Sequence, residues 1–136
     1  MAASVLVDAS FVVALLNRRD GNHRWAAAQS ANHARPWMTC EAALSEAFYL
    51  LGPPGVPALR TFLRRGLLRP AFDLGDQIDP VLELMEKYVS VPMSLADACL
   101  VRMTEIFSHP LLLTTDRDFR IYRRHSRQVL PSVMPE

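Results

Sequence analysis

The fold is decided by one short stretch of sequence, Val5-Leu6-Val7-Asp8-Ala9-Ser10. Its first three residues form an apolar run without alternation, which predicts a strand buried on both faces. Asp8 would then stand at the carboxyl end of that strand, where open α/β sheets place their ligand sites. Ser10 is suited to cap a helix over residues 11–17. Asp8 therefore has two interpretations: it ends a strand and begins a turn, or it is a site carboxylate.

Length and composition set the broad class of the protein. The chain has 136 residues, of which 50% are hydrophobic, so we assign residues 1–136 to a single domain with its own core. The chain does not open on a basic segment followed by an apolar one, and no apolar run approaches the roughly 20 residues of a membrane span. We therefore expect a soluble cytoplasmic protein. Cys40 and Cys99 lie in apolar segments without metal-ligand spacing, which favours buried, reduced thiols.

The basic residues are unusual in type rather than in number. The net charge of +1 indicates no partner by itself. Of the 15 basic residues 14 are Arg, which suits bidentate phosphate contacts, although a GC-rich genome would give the same bias. Two groups of arginines stand out, one made of Arg60, Arg64 and Arg65 and the other of Arg117, Arg120, Arg123, Arg124 and Arg127. Each group is a phosphate-binding face, a solvated face or a contact for a protein partner.

The rest of the chain alternates predicted strands with predicted helices. Apolar runs predict strands at residues 37–39, 111–113 and 128–130, and residues 67–74 are ambiguous. Helical spacing predicts helices over residues 24–32, 41–51, 57–65, 79–91, 95–107 and 118–124, with Gly52-Pro53-Pro54-Gly55 ending the second of these. Asp79 and Ser94 are the expected caps. This alternation predicts an α/β protein with a mainly parallel sheet.

Four carboxylates stand at comparable places in this plan. Asp8 and Asp116 each follow a buried strand, Glu46 lies on the helix after the second strand, and Asp97 lies in the first turn of its helix. Taken singly, each has a structural explanation; Ser94-x-x-Asp97, for example, resembles a capping box. Four acids at one sheet edge would repel one another unless a cation joined them. Such a set suits Mg²⁺ or Mn²⁺, and two such ions about 4 Å apart can support phosphodiester cleavage.

Four motifs in this order resemble a known family. They are Leu6-Val7-Asp8-Ala9-Ser10, Ala43-Leu44-Ser45-Glu46, Met93-Ser94-Leu95-Ala96-Asp97-Ala98 and Leu113-Thr114-Thr115-Asp116-Arg117-Asp118-Phe119. The sequence resembles the PIN-domain ribonucleases and, within them, the VapC-like toxins of type II toxin–antitoxin pairs. The resemblance covers essentially the whole chain. It implies a PIN-like (Rossmann-like) three-layer α/β/α fold with a central, mainly parallel sheet of about five strands.

The resemblance also implies a site and an activity. The family's four acidic metal ligands carry over to Asp8, Glu46, Asp97 and Asp116, with Ser10, Thr115 and Asp118 in supporting positions. Glu41 is a rival to Glu46, although the context of Glu46 fits the motif better. The implied activity is Mg²⁺- or Mn²⁺-dependent endonucleolytic cleavage of RNA, often tRNA or rRNA, which stops translation. The implied partners are a small VapB-like antitoxin and a second copy of the chain in a homodimer.

Other readings of the acids remain open. A receiver domain would have an adjacent acidic pair after the first strand and a Lys near the last strand, whereas Lys87 lies in a predicted helix. A phosphatase with an aspartyl nucleophile would have an acid where Ser10 stands. Two further readings keep the fold: an RNA-processing nuclease outside a toxin pair, and a non-catalytic protein that binds RNA or a partner.

Overall fold

A computed structural model describes residues 2–136. The helices and strands follow one another as β1 Ser4–Val7, α1 Ala9–Leu16, α2 His23–Asn32, β2 Trp37–Thr39, α3 Glu41–Arg64, β3 Leu68–Pro70, α4 Ile78–Lys87, α5 Leu95–Ile106, β4 Pro110–Leu113, β5 Arg123–Arg124, β6 Gln128–Val129 and β7 Ser132–Val133. Two short 3₁₀ helices span Leu74–Gln77 and Arg117–Arg120. The predicted alternation of strands and helices is thus confirmed.

The central sheet has five strands in the order β3-β2-β1-β4-β7, and every neighbouring pair is parallel. β1 lies in the middle, and it pairs with β4 from Ser4 opposite Pro110 to Val7 opposite Leu113. Helices cover both faces of the sheet, as a parallel sheet requires. The fold is therefore the PIN-like, three-layer α/β/α arrangement that the sequence predicted.

The alternation of side chains along β1 divides the core into two layers. Leu6 packs with the residues of α4 and α5 on one face, among them Leu100 and Met103. Val5 and Val7 pack on the other face with α1, α2 and α3. Successive side chains of a strand point to opposite faces, so an uninterrupted apolar run is what a strand between two helical layers needs.

The order of the strands places a crevice at one edge of the sheet. From β1 the chain adds β2 and β3 on one side, and then it returns to add β4 and β7 on the other. The connections diverge between β1 and β4, and open α/β sheets bind ligands outside the carboxyl ends of the strands at such a point. Asp8 follows β1 and Thr114 follows β4 at this position.

Two predicted helix starts are wrong by a few residues. α1 begins at Ala9, and its N-cap is Asp8, whose side chain accepts a hydrogen bond from the Ala9 N–H. Ser10 therefore lies inside the helix and does not cap it. α4 begins at Ile78 and not after Asp79, because the 3₁₀ helix that Asp73 caps leads directly into it. The cap at Ser94 is confirmed.

The last part of the chain differs from the prediction in both elements. Residues 118–124 do not form one helix, since the 3₁₀ helix Arg117–Arg120 is followed by β5. β6, at Gln128–Val129, pairs antiparallel with β5 in a hairpin outside the main sheet. The fifth strand of the main sheet is β7, which the sequence analysis missed. The chain joins the sheet where the Pro131 carbonyl accepts a hydrogen bond from the Leu112 N–H.

The predicted stop at Gly52 is a kink rather than a loop. Gly52 has φ +61° and ψ −172°, which breaks the helical path, and helix resumes directly at the two prolines. Proline is tolerated in a first helical turn because the N–H groups there have no helical partner. α3 is therefore two helical segments joined at Gly52. Among residues 2–136, no helix has both the length and the apolar content needed to cross a membrane.

The kink gives a test of the backbone at Gly52. A Cβ added there meets no atom closer than 3.9 Å, so Gly52→Ala changes the backbone preference and not the packing. The conformation is one that essentially only glycine adopts, and we expect a loss of about 1–3 kcal/mol in the free energy of unfolding. Gly21→Ala is the matched control, since its Cβ meets nothing within 4 Å and its φ is not positive. Urea denaturation measures both; equal stabilities would contradict the strain at Gly52.

Candidate active site

Asp8 is the centre of the site and is almost completely buried, with 4% of its surface exposed. Its Oδ1 accepts a hydrogen bond from the Ala9 N–H at 2.8 Å. Its Oδ2 accepts one from the Ser10 hydroxyl at 2.8 Å and one from the Thr114 hydroxyl at 2.9 Å. A carboxylate has about four lone-pair positions, so one remains for a further ligand.

The two hydroxyls at Asp8 are themselves held by the loop after β4. The Ser10 Oγ accepts a hydrogen bond from the Thr115 N–H at 3.0 Å, and the Thr114 Oγ1 accepts one from the Asp116 N–H at 3.0 Å. Each hydroxyl thus accepts from the backbone and donates to Asp8. The network ties the ends of β1 and β4 together and fixes the side chain of Asp8 in one orientation.

Asp97 serves both as part of a cap and as a site carboxylate. Ser94 and Asp97 form a capping box, in which the Asp97 N–H donates to the Ser94 Oγ at 3.0 Å. The return bond, from the Ser94 N–H to the Asp97 Oδ2, is long at 3.5 Å. The shorter bond to that oxygen comes from the hydroxyl of buried Tyr122 at 2.9 Å. The structural explanation of Asp97 is therefore correct but incomplete, because Tyr122 also holds the carboxylate.

The remaining acids carry fewer hydrogen bonds. Asp116 caps the 3₁₀ helix after β4, and its Oδ1 accepts a bond from the Asp118 N–H at 2.9 Å. Glu46 is exposed on α3. It lies in the second turn of α3, which begins directly after β2 at the edge of the sheet that holds the other acids. Asp118 contacts the group through its backbone and lies beside Asp116.

The site is an acidic cluster without a cationic partner. Burial raises the pKa of Asp8 to about 6, against the hydrogen bonds from Ser10 and Thr114, and the charges of Asp97 and Asp116 add to the rise. Partial burial of the Glu46 carboxyl and burial of Asp97 also raise the pKa of each group, with repulsion from neighbouring acids adding to both. Over residues 2–136 the one ion pair is Arg102–Glu105, so no basic side chain neutralises the cluster.

The donor set fits a hard divalent cation in its chemistry. All its atoms are carboxylate oxygens, which Mg²⁺ and Mn²⁺ prefer, and a cation would offset the repulsion that raises these pKa values. In the described part of the chain no three Asp, Glu, His or Cys side chains converge tightly enough to form one compact ligand group. Mg²⁺ does not need such a cage, since it usually keeps several waters and takes one or two protein carboxylates.

The sequence analysis missed two residues of the site. Thr114 supplies the hydroxyl that binds Asp8, whereas Thr115 contributes its backbone N–H, so the supporting role expected of the Thr115 hydroxyl falls to its neighbour. The signal for Thr114 was its place directly after β4, level with Asp8 after β1. Tyr122 gave no signal, because its contact with Asp97 spans 25 residues. Glu41, the rival of Glu46, lines a cavity together with Cys40 and Cys99.

Comparisons with known proteins agree with the fold. The family model of the PIN domain matches residues 5–124. The crystal structure of VapC20 from Mycobacterium tuberculosis, described as a sarcin-ricin loop cleaving toxin, is similar with a TM-score of 0.76. The sequences are 23% identical over 85% of this chain and 92% of VapC20, a level at which the likeness concerns the fold. A comparison with curated proteins gave no match.

The burial of Asp8 predicts a pH dependence of stability. Its pKa is higher in the folded protein than the ordinary value of 3.8, so its contribution is most favourable below about pH 4 and is lost as the pH rises through 6. For the metal-free protein, we expect the free energy of unfolding of Asp8→Asn to rise relative to that of the wild type as the pH increases from about 4 to 7.5. The total rise should be up to about 3 kcal/mol. Urea titrations across this range in EDTA measure the difference.

Asp76→Asn is the matched control for that experiment. Asp76 is an exposed acid in the 3₁₀ helix before α4, outside the acidic cluster. Its stability difference from the wild type, measured at each pH, is the baseline for that of Asp8→Asn. A difference for Asp8→Asn that does not grow between about pH 4 and pH 7.5 would show that the carboxylate of Asp8 is not held in an unfavourable environment.

Proposed function

Since the chain belongs to the PIN-domain family, whose model matches residues 5–124, we propose that it is a metal-dependent endoribonuclease. The observation that carries the proposal is the acidic cluster at the carboxyl ends of β1 and β4. Its buried carboxylates repel one another, and none of them forms an ion pair with a basic side chain of residues 2–136. A protein retains such a destabilising arrangement where function needs it, and divalent cations are what it would bind.

We assign the metal ligands to Asp8, Glu46, Asp97 and Asp116, with Asp118 as a supporting acid. Mg²⁺ or Mn²⁺ bound there would supply an activated water and a charge that stabilises the leaving oxygen of a phosphodiester. Three of these carboxylates keep acceptor positions that a cation could use. Asp8 has one of its about four lone-pair positions left, and the Oδ1 of Asp97 and the Oδ2 of Asp116 accept no hydrogen bond from residues 2–136.

The other residues of the site act by holding these carboxylates. Ser10 and Thr114 fix Asp8 through two hydroxyl bonds, and Tyr122 fixes Asp97 through one. Groups behind the ligands orient them and exclude other arrangements, which matters as much as the ligands themselves. We propose a direct, in-line attack of water on the phosphorus, without a covalent enzyme intermediate.

We further propose that the protein is the toxin of a toxin–antitoxin pair and blocks translation by cleaving tRNA or rRNA. The likeness to VapC20, a toxin that cleaves the sarcin-ricin loop, supports this role. The same proposal implies a small VapB-like antitoxin and a homodimer. Tyr49 and Leu50, 85% and 59% exposed on α3, are apolar side chains that a protein partner would cover.

The experiment that tests the proposal is cleavage of total cellular RNA and intact ribosomes by the purified protein. Mg²⁺ and Mn²⁺ should each give discrete fragments, and EDTA should abolish them. Asp97→Asn should lose at least the roughly 10–100-fold in activity that changes around a metal site cost. Primer extension locates the cleaved bonds. Fragments that persist in EDTA, or with Asp97→Asn, would contradict the metal-dependent site.

Two glutamates on the same helix provide a matched pair within that experiment. Glu46→Gln should reduce cleavage, because the charges of Asp97 and Asp116 act on the Glu46 carboxyl and a cation bound between them would use it as a ligand. Glu41→Gln should leave cleavage largely intact, because Glu41 lines the cavity beside the two cysteines. The reverse outcome would show that Glu41 is the ligand.

A further inference from the structure

We propose that the RNA backbone is held by Arg117 and Arg120, on the 3₁₀ helix that leaves the acidic cluster, and not by the arginines of α3. This inference rests on the proposed nuclease function and identifies the surface that holds its substrate. An acidic site repels a polyanion, so cations must bind phosphates beside it. The structure separates the arginines that can do so from those that cannot.

The arginines of α3 lie at the wrong edge of the sheet. α3 starts at Glu41, directly after β2, at the edge that holds the acids, and it ends at Arg64. The chain then enters β3, and the Leu67 carbonyl accepts a hydrogen bond from the N–H of Trp37, the first residue of β2. Arg60, Arg64 and Arg65 therefore lie towards the amino-terminal edge, with the length of the strands between them and the carboxylates.

Two arginines of the C-terminal group are already engaged within the fold. The Arg123 Nη1 donates hydrogen bonds to the carbonyls of Arg120, Ile121 and Tyr122 at 2.7, 3.1 and 3.1 Å. The Arg124 guanidinium donates to the Thr104 carbonyl of α5, its Nε at 3.0 Å. Both side chains fasten the β5–β6 hairpin and its approach to the rest of the protein.

Arg117 and Arg120 remain available next to the acids. The 3₁₀ helix Arg117–Arg120 has Asp116 as its N-cap, so both arginines lie within four residues of a proposed ligand. Both are exposed, and neither forms an ion pair with any acid of residues 2–136. Arg127 is exposed as well, but it lies in the turn of the β5–β6 hairpin, which contacts Thr104 and Glu105 near the end of α5, whereas Asp97 lies in the first turn of that helix.

The arrangement suits phosphates on either side of a scissile bond. The guanidinium presents donors in a fork that matches two phosphate oxygens, and it keeps its charge at any working pH. With the carboxylates occupied by cations, the neighbouring arginines would add positive potential to the same rim. RNA would then run over the 3₁₀ helix with one of its phosphates at the acids.

Salt dependence of RNA binding tests this surface without any need for cleavage. The probe is a fluorescein-labelled, mixed-sequence, 20-nucleotide single-stranded RNA, titrated with Ca²⁺ in place of Mg²⁺ and in a parallel series with EDTA. The slope of log Kobs against log salt is negative. We expect Arg117→Ala/Arg120→Ala to reduce its magnitude by roughly 1.4, about 0.7 for each lost phosphate contact. The corresponding loss of affinity is roughly 20-fold at 0.1 M salt and shrinks towards 1 M.

Arg60→Ala/Arg64→Ala is the matched control, with the same change of charge on an exposed face at the other edge. It should leave the slope unchanged. Three results would overturn the proposal. The first is an unchanged slope for Arg117→Ala/Arg120→Ala, and the second is an equal reduction in the magnitude of the slope for both double variants. The third is no binding of the probe to the wild type at low salt. If the magnitude of the slope falls as expected but no RNA is cleaved under any condition, the RNA-binding surface is supported and the proposed nuclease function is contradicted.

Discussion

The rest of the site is built around the buried carboxylate of Asp8, which forms no ion pair with a basic side chain of residues 2–136. Its burial follows from the fold, because it ends the middle strand of a sheet covered on both faces. Its pKa of about 6 leaves it largely ionised at neutral pH, where it faces Asp97 and Asp116. The fold therefore holds like charges together at the crevice between β1 and β4, at a cost in stability that a bound divalent cation would offset.

The hydroxyls around Asp8 explain how the protein tolerates this arrangement. Ser10 and Thr114 each accept a backbone N–H and donate to the same carboxylate oxygen, so the charge is solvated by fixed dipoles in place of water. The Tyr122 hydroxyl donates a hydrogen bond to the carboxylate of Asp97. Within residues 2–136 no buried side-chain polar atom lacks a hydrogen-bond partner. The carboxylates are consequently held in position before any ligand arrives, which reduces the cost of ordering them.

Local sequence patterns predicted the main strands and helices, whereas contacts between residues distant in the sequence were found only in the structure. The apolar runs at residues 5–7 and 111–113 indicated buried parallel strands, and parallel strands bring Asp8 and Asp116 to one edge. β7 was missed because Ser132–Val133 is too short to carry a pattern, and only its pairing with β4 makes it a strand. Ser10 fits the cap by residue type, but Asp8 stands two residues earlier and takes that role. The hydrogen bond from Tyr122 to Asp97 could not be predicted, because the two residues lie 25 positions apart and no local pattern links them.

A crystal structure of the wild-type protein soaked with Mn²⁺, with anomalous scattering used to locate the ion, tests the metal site most directly. We expect an anomalous peak at the carboxyl ends of β1 and β4, ligated by oxygens from among Asp8, Glu46, Asp97 and Asp116. A peak beside Cys40 and Glu41 instead, or none at the acidic edge at saturating Mn²⁺, would contradict the claim that this cluster is a metal site.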